Sequence, residues 1–575
     1  MTIEFTEVDG VPTLVAPTAG PWHAGLVFRV GRADETLARS GLTHVLEHLV
    51  LFPLGLTDYH YNGSTGSTVT SFHTTGSEED VAAFLHQVCS GLAAPPMNRL
   101  DTEKQIVRTE WASRTSAVND GLPIWRYGAR GHGLLSFREP GTWALTAEDL
   151  LQWRDAYFTR ENAVLWIAGK GVPAGLRLDL PSGRRMPLPP VTSALPTTPA
   201  YFAEGGQAVV VESIVTAGPA APVYADVLER TLFRDLRQEA GVSYSVSALY
   251  QPRGDGFGEV TAAVDALPDK QGAAVGGFVD ALAKLQAGRI EAADINAYVA
   301  KVKDAAQHAD AEAAGLGAAA FATLTGRPVI DVEQRIARLE SVTTEDVHAV
   351  AREAGASALM RVPHNQRADW AGFTAAPTLS TSTVDGVRLK ARGGDGDLVL
   401  GPQGISVIDG ECAVTVRFDE VAAMWSWPDG GRRLVGHDGL TLTVEPTLNN
   451  VGAAHLARID AAVPRALVIP MPARQADAIP QPSAVTPAVR PAKAARRPAG
   501  AGQRAPIRAL DVIRLVLLVG ITTVFLCLSG MFTIAGDEGP DAELGRQLTY
   551  IFWGITAIGV AGTAWVIVGM ARRRR

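Results

Sequence analysis

Cysteine is scarce: Cys89, Cys412 and Cys527 are the three in 575 residues. Thiols so few and so scattered exclude a disulfide framework and a thiolate zinc cluster, and they agree with a reducing compartment. Positive charge is also short over most of the chain. The net charge is −8, and the residues from Met471 onward carry 13 Lys+Arg against 6 Asp+Glu, which leaves residues 1–470 at −15. A body of that sign lacks the clustered cations that phosphate binding needs, so nucleic acid is excluded as a partner. No sustained short period runs through the sequence, which excludes collagen and coiled coil. With 47% hydrophobic residues, disorder throughout is excluded as well. Residues 1–30 hold no basic leader followed by an apolar run, because Glu4, Glu7 and Asp9 interrupt the stretch; no secretory signal is expected.

Long uncharged runs are absent from the body but present near the C-terminus. Leu515–Ala535 and Thr549–Met570 are 21 and 22 residues without a charge. At 1.5 Å per residue each is long enough to cross a hydrocarbon layer of about 30 Å. Arg490, Lys493, Arg496, Arg497, Arg504 and Arg508 precede the first run, and Arg572–Arg575 follow the second. The connecting loop holds Asp537, Glu538, Asp541 and Glu543 against Arg546. The positive-inside rule then predicts a two-span hairpin in the cell membrane, with the N-terminal body and the C-terminus in the cytoplasm.

Between the ends the pattern suggests four further segments. Residues 1–195 and 196–370 each mix strands with amphipathic helices. Strands are expected at Ala24–Val30, Ala208–Glu212 and Ser243–Tyr250, and helices after Ser40, after a Ser77 cap, and around Asp269–Ala287 and Glu291–Ala309. The weak repetition of this order predicts two α+β domains in tandem. Residues 380–467 read as short alternating strands punctuated by Gly and Asp, followed by an amphipathic segment at Val451–Val463. That pattern is similar to the pleckstrin-homology-like superfold, which hosts many functions. Residues 468–510, rich in Pro, Ala and Arg, are expected as a linker, and 511–575 as the membrane hairpin.

The chemistry concentrates in GLTHVLEHLVLF. On a helix His44 and His48 lie one turn apart on the same side, with Glu47 adjacent. Two imidazoles at that spacing can hold one zinc ion and leave a position for water, and Glu47 is placed to take a proton from that water. This is the inverted zinc-peptidase motif H-x-x-E-H. His60, His73 and His86 lack ligand spacing to His44; His73 is expected on a cleft-lining strand, His86 on a helix surface and Cys89 in a helix core.

With VGRADETLARSGLTHVLEHLVLF, NGSTGSTVTSFHTTGSEED, TEKQIVRTEW and YFTRENAVLWIAG, the chain resembles the pitrilysin/insulinase family of zinc metallopeptidases. The resemblance implies Glu110 as the third zinc ligand and Glu103, seven residues earlier on the same helix face, as a partner that orients the site. Sixty-one residues separate His48 from Glu110, fewer than is usual in the family. The shortening falls between Phe52 and Asn62 and removes wall from the substrate chamber. In LRQEAGVSYSVSA, Arg237 and Tyr244 match a family pair in which the guanidinium holds substrate carbonyls and the phenol donates to the oxyanion. In two-domain members that pair completes a partner subunit's site. A homodimer is therefore expected, with a heterodimer as the variant.

The resulting expectation is a membrane-anchored, cytoplasm-facing zinc endopeptidase acting on peptides or unstructured segments, with Zn2+ as its cofactor. NGSTGSTVTSF is expected to pair with extended peptide by strand addition. Silent family members imply an alternative, a membrane-tethered scaffold or binding subunit on a peptidase-like fold.

Overall fold

The computed structural model describes residues 3–482 apart from 56, 58, 116–118, 309 and 393–395. The two apolar runs and their basic flanks lie outside the described residues. Among the described residues, no helix is long and apolar enough to cross a membrane.

The first sheet contains β1 (Glu4–Val8), β2 (Val11–Ala16), β3 (Trp22–Phe28), β4 (His60–Thr65), β5 (Thr70–Gly76) and β6 (Ala163–Ala168). Its spatial order is β1-β2-β6-β3-β5-β4, so β4 is an edge strand. In β5, Thr70, Phe72 and Thr74 are buried while Ser71, His73 and Thr75 face the open side, the period of two that a half-covered strand requires. The covered face receives α1 (Leu42–Leu51), α2 (Glu78–Ala93), α3 (Leu100–Ser113) and α5 (Ala147–Tyr157), whereas the short α4 (Leu122–Tyr127) packs through Leu122 on Ala200, Phe202, Val210 and Leu359 of the second half. Leu46 and Leu49 of α1 meet Phe84 and Leu85 of α2 and Phe72 of the sheet in one core. Ser77 caps α2: its Oγ accepts from the Asp80 N–H at 3.1 Å, and the Asp80 carboxylate accepts from the Ser77 N–H at 2.8 Å.

The second sheet contains β7 (Ala200–Glu204), β8 (Ala208–Thr216), β9 (Val246–Pro252), β10 (Phe257–Asp265), β11 (Leu359–Pro363) and β12 (Thr374–Ala375), in the order β12-β7-β11-β8-β10-β9. Its helices are α6 (Ala220–Leu232), α7 (Gln271–Gln286), α8 (Ala292–Ala305), α9 (Ala311–Leu324), α10 (Val332–Glu340) and α11 (Thr344–Ser357). The two halves are bound together rather than strung. Leu316, Ala320 and Leu324 of α9 cross to the other half and pack on Leu14, Val27 and Val164, on the face of the first sheet that α1 and α2 leave open. Arg126 of α4 makes a buried ion pair with Glu212 of β8 and donates to the Glu212 and Ser357 carbonyls at 2.8 and 3.0 Å.

Residues beyond 380 form two four-stranded sheets. One is the meander β13 (Val387–Leu389), β14 (Asp397–Leu400), β15 (Gly404–Asp409) and β16 (Cys412–Arg417). The other joins β17 (Val421–Ser426), β18 (Arg432–Gly436), β19 (Thr441–Val444) and β20 (Val468–Pro470), and α12 (Ala453–Ala462) packs beside the core they share. Two features differ from the sequence-based expectation. β17 carries no alternation because both of its faces are buried, so it escapes a period-two pattern. Residues 468–482, expected as the start of the linker, begin with β20 in a parallel ladder with β17. Arg474 then pairs with Asp429 and Glu445 at 2.6 and 2.7 Å.

Candidate metal centre

The site begins with the entry to α1. Gly41 has φ +95°, and a side chain there would meet Thr142 Cγ2 at 2.8 Å and Glu139 Cβ at 3.2 Å, so the position needs glycine on both counts. The Gly41 and Thr43 N–H groups donate to the buried Glu35 carboxylate, both at 2.8 Å, which satisfies first-turn donors of the helix. Burial, then the nearby Glu139 charge, pushes Glu35 up to about 7.

α1 places His44 and His48 on one face, with ring centroids 4.9 Å apart and planes at 81°. α3 brings Glu110 to them: its Oε2 lies 3.5 Å from His44 Nε2 and 3.7 Å from His48 Nε2. One donor atom from each of the three falls within 4.8 Å of the others. Two ligands each about 2.0–2.1 Å from a tetrahedral zinc lie roughly 3.3 Å apart, so this donor set fits the ion. Each imidazole turns its other nitrogen to a carboxylate. Glu103 stands 3.5 Å from His48 Nδ1 and accepts from Arg99 at 2.9 Å. Glu139 accepts from His44 Nδ1 at 2.9 Å and from Trp111 Nε1 at 2.8 Å, and forms an ion pair with Arg32 at 3.2 Å.

Glu139 is the residue that sequence reasoning missed. It lies 95 positions from His44 and belongs to no motif; only its neighbour Trp111, next to Glu110, hints at the connection. It is almost fully buried and sits at φ +47°, unusual for a residue with a side chain. The ring electrostatics follow from these partners. Burial opposes charge on His44, but the Glu110 and Glu139 carboxylates outweigh it and hold the ring up at about 10. His48 is pushed down by burial and then by the charge of His44. Glu110 is lowered, first by its hydrogen bond with His44.

Glu47 is buried, and its Oε2 accepts from Thr65 Oγ1 of β4 at 2.7 Å. Burial raises its pKa, with His44 pulling the other way. Gly63 of β4 lies against the same carboxylate, so closely that a Cβ would collide with it. The edge strand and the Glu47 carboxylate are therefore in direct contact.

Arg237 and Tyr244 lie together but elsewhere. Arg237 belongs to a π-helical turn, Phe233–Glu239, and its guanidinium is 5.2 Å from the Tyr244 ring centroid. Tyr244, expected within a strand, precedes β9 in a turn whose N–H groups at 244 and 245 donate to Asp265 at 2.9 and 2.7 Å. The residue is 80% exposed. Among the described residues, neither makes a hydrogen bond or ion pair with His44, Glu47, His48 or Glu110. The expected assignments of His73, His86 and Cys89 fall on β5, on an exposed position of α2 and in the α2 core.

The fold is that of the M16, or pitrilysin-like, peptidases. A protease from Helicobacter pylori superposes with a TM-score of 0.54 at 16% identity, over 63% of this chain and 99% of its own. The first half of the periplasmic protease PqqL from Escherichia coli gives 0.53 at 13%, over 64% and 93%. A peptidase M16 inactive domain from Pseudomonas fluorescens gives 0.50 at 13%, over 66% and 100%. At these identities the likeness is one of fold, shared by active and inactive proteins alike. No protein-family profile matches the chain, and no curated protein matches it.

Proposed function

We propose that this protein is a zinc endopeptidase hydrolysing peptides or unstructured protein segments. The observation that carries the reading is the convergence of His44, His48 and Glu110 beside the buried carboxylate of Glu47. These three residues would hold the ion. When bound, zinc supplies Lewis acidity toward the scissile carbonyl and the attacking water. Glu47 takes the proton of that water at Oε1, the oxygen Thr65 leaves free, and returns it to the departing amine. Its burial makes it a stronger base than an exposed carboxylate. Glu139 and Glu103 fix the two rings with Nε2 toward the centre. An extended peptide adds to the free edge of β4, whose contact with Glu47 brings the peptide backbone to the general base.

Tyr244 donates to the oxyanion and Arg237 holds substrate carbonyls, both supplied by a second copy of the chain. The exposure of Tyr244, and its lack of contact with the triad of its own chain, support that arrangement. The apolar runs at 515–535 and 549–570 and their basic flanks support a membrane anchor with the peptidase body on the cytoplasmic side. The fold match to an inactive M16 domain favours one other reading, a catalytically silent scaffold. Metal analysis of the purified full chain separates the two. One zinc per chain, lost in His44→Ala, is expected of the peptidase; a folded chain without zinc would favour the scaffold.

A further inference from the structure

The segment 380–482 forms its own pair of four-stranded sheets, which share no ladder with the sheets of the two halves. Yet it is fused to the half that carries the metal centre. β17 has two buried faces: Val421 and Met424 enter the core between the two small sheets, whereas Ala423 turns the other way. There Ala423, Val435 and Ile469 meet Leu37, Ala38 and Leu134 of the first half in one cluster, each of the six no more than 1% exposed. The Ala129 N–H donates across the same boundary to the His437 carbonyl at 3.0 Å.

The residues on the far side of this cluster are the supports of His44. Leu37 and Ala38 belong to the turn that leads through Ser40 and Gly41 into α1. Ser40 Oγ donates to the Leu37 carbonyl at 2.9 Å and accepts from the Gly141 N–H at 3.1 Å, two residues past Glu139. Arg32, the ion-pair partner of Glu139, donates to the Leu134 and Phe137 carbonyls at 3.2 and 2.6 Å. Leu37 and Leu134 are thus the apolar pins of the two segments that set His44 and its carboxylate. Ile469 of β20 is buried in the same cluster as those pins; β20 runs beside the turn Pro140–Trp143 that follows Glu139, β17 runs beside Leu37–Arg39, and Arg474 fastens the chain just beyond by its bonds to Asp429 and Glu445.

We propose that residues 380–482 are a positioning element of the metal centre, in which Ile469 of β20 braces the segments Leu37–Ser40 and Leu134–Glu139. A close-packed interior transmits the loss of most of a side chain as a shift of its neighbours, and loss of orientation in a ligand's partner typically costs about 10–100-fold in metal affinity. Ile469 and Arg474 act through Leu37, Leu134 and Glu139 and touch neither metal nor substrate. The inference rests on the zinc reading above.

The test is zinc affinity measured by competition with a chromophoric chelator on the full chain. Wild type is compared with Ile469→Ala, Ile469→Val, Arg474→Gln and Leu282→Ala, the last in the α7 core of the second half. Ile469→Ala should bind zinc at least about tenfold more weakly, with Ile469→Val restored to near wild type. Leu282→Ala should lower the thermal midpoint and leave zinc affinity unchanged. If Ile469→Ala does not fold, Arg474→Gln carries the test in the same direction. Zinc affinity within twofold of wild type in the folded variants, despite a lower midpoint, overturns the proposal. A wild-type chain that binds no zinc removes the zinc reading itself, a different result from an unchanged affinity, and this inference goes with it.

Discussion

Replacing Glu139 by Gln removes one negative charge and keeps the side-chain shape. His44 Nδ1 then faces a neutral amide at a distance that was 2.9 Å, Trp111 loses an ionic acceptor at 2.8 Å, and Arg32 loses its ion pair. Three effects follow. The imidazole becomes a weaker ligand, because a carboxylate on the far nitrogen raises ring basicity; the expected loss is about 10–100-fold in zinc affinity, or roughly 1.4–2.7 kcal/mol. The metal-free ring loses one of the two carboxylates that hold it near 10, so its pKa falls. Arg32 keeps its bonds to the Leu134 and Phe137 carbonyls, so folding should survive at a cost of about 1.5–3 kcal/mol for the lost ionic hydrogen bonds. Chelator competition measures the first effect, the histidine NMR titration of metal-free protein the second, and thermal unfolding the third. A Glu139→Gln chain that holds zinc as tightly as wild type would refute the assignment of Glu139 as the partner of His44.

Other perturbations have defined outcomes. Glu47→Gln should retain zinc and lose hydrolysis by at least about 10²–10⁴-fold, measured as turnover of a quenched fluorescent peptide. Zinc must displace the proton of His44. Apparent affinity should therefore rise about tenfold per pH unit from pH 7 toward 10 and level off above it, as read in chelator competition across pH. Glu35 is held up at about 7 in the fold against an ordinary 4.5, so the native state keeps a proton that the unfolded chain has lost. Stability should fall between pH 4.5 and 7 by roughly 3 kcal/mol and flatten above, and Glu35→Gln should remove that slope in thermal unfolding. Gly63→Ala should displace the Glu47 carboxylate and reduce turnover while leaving the zinc content at one per chain.

What the sequence made legible was local. The one-turn spacing of His44 and His48, the Ser77 cap with acids in the following turn, and the placing of His73 on a strand are properties of neighbouring residues, and each reappears as geometry. Glu103 and Glu110 share a helix face for the same reason. The rest depends on contacts that no window contains. Glu139 reaches His44 across 95 residues from an irregular loop with a positive φ. β17 hides because apolar residues on both faces erase its period, and β20 because three residues that end in a proline carry no strand signal until a partner ladder exists. Tyr244 falls outside its expected strand because the Asp265 carboxylate captures its backbone and turns the chain before β9 begins.

The central claim is tested most directly by incubating the full chain with a pool of unstructured peptides and reading the products by mass spectrometry. Wild type, Glu47→Gln and a chelator-treated sample are run side by side. The account predicts internal cleavage by untreated wild type alone, restored to the chelated sample by added zinc. Cleavage that persists in Glu47→Gln or under chelation, or a zinc-loaded wild type that cuts nothing in the pool, would contradict it.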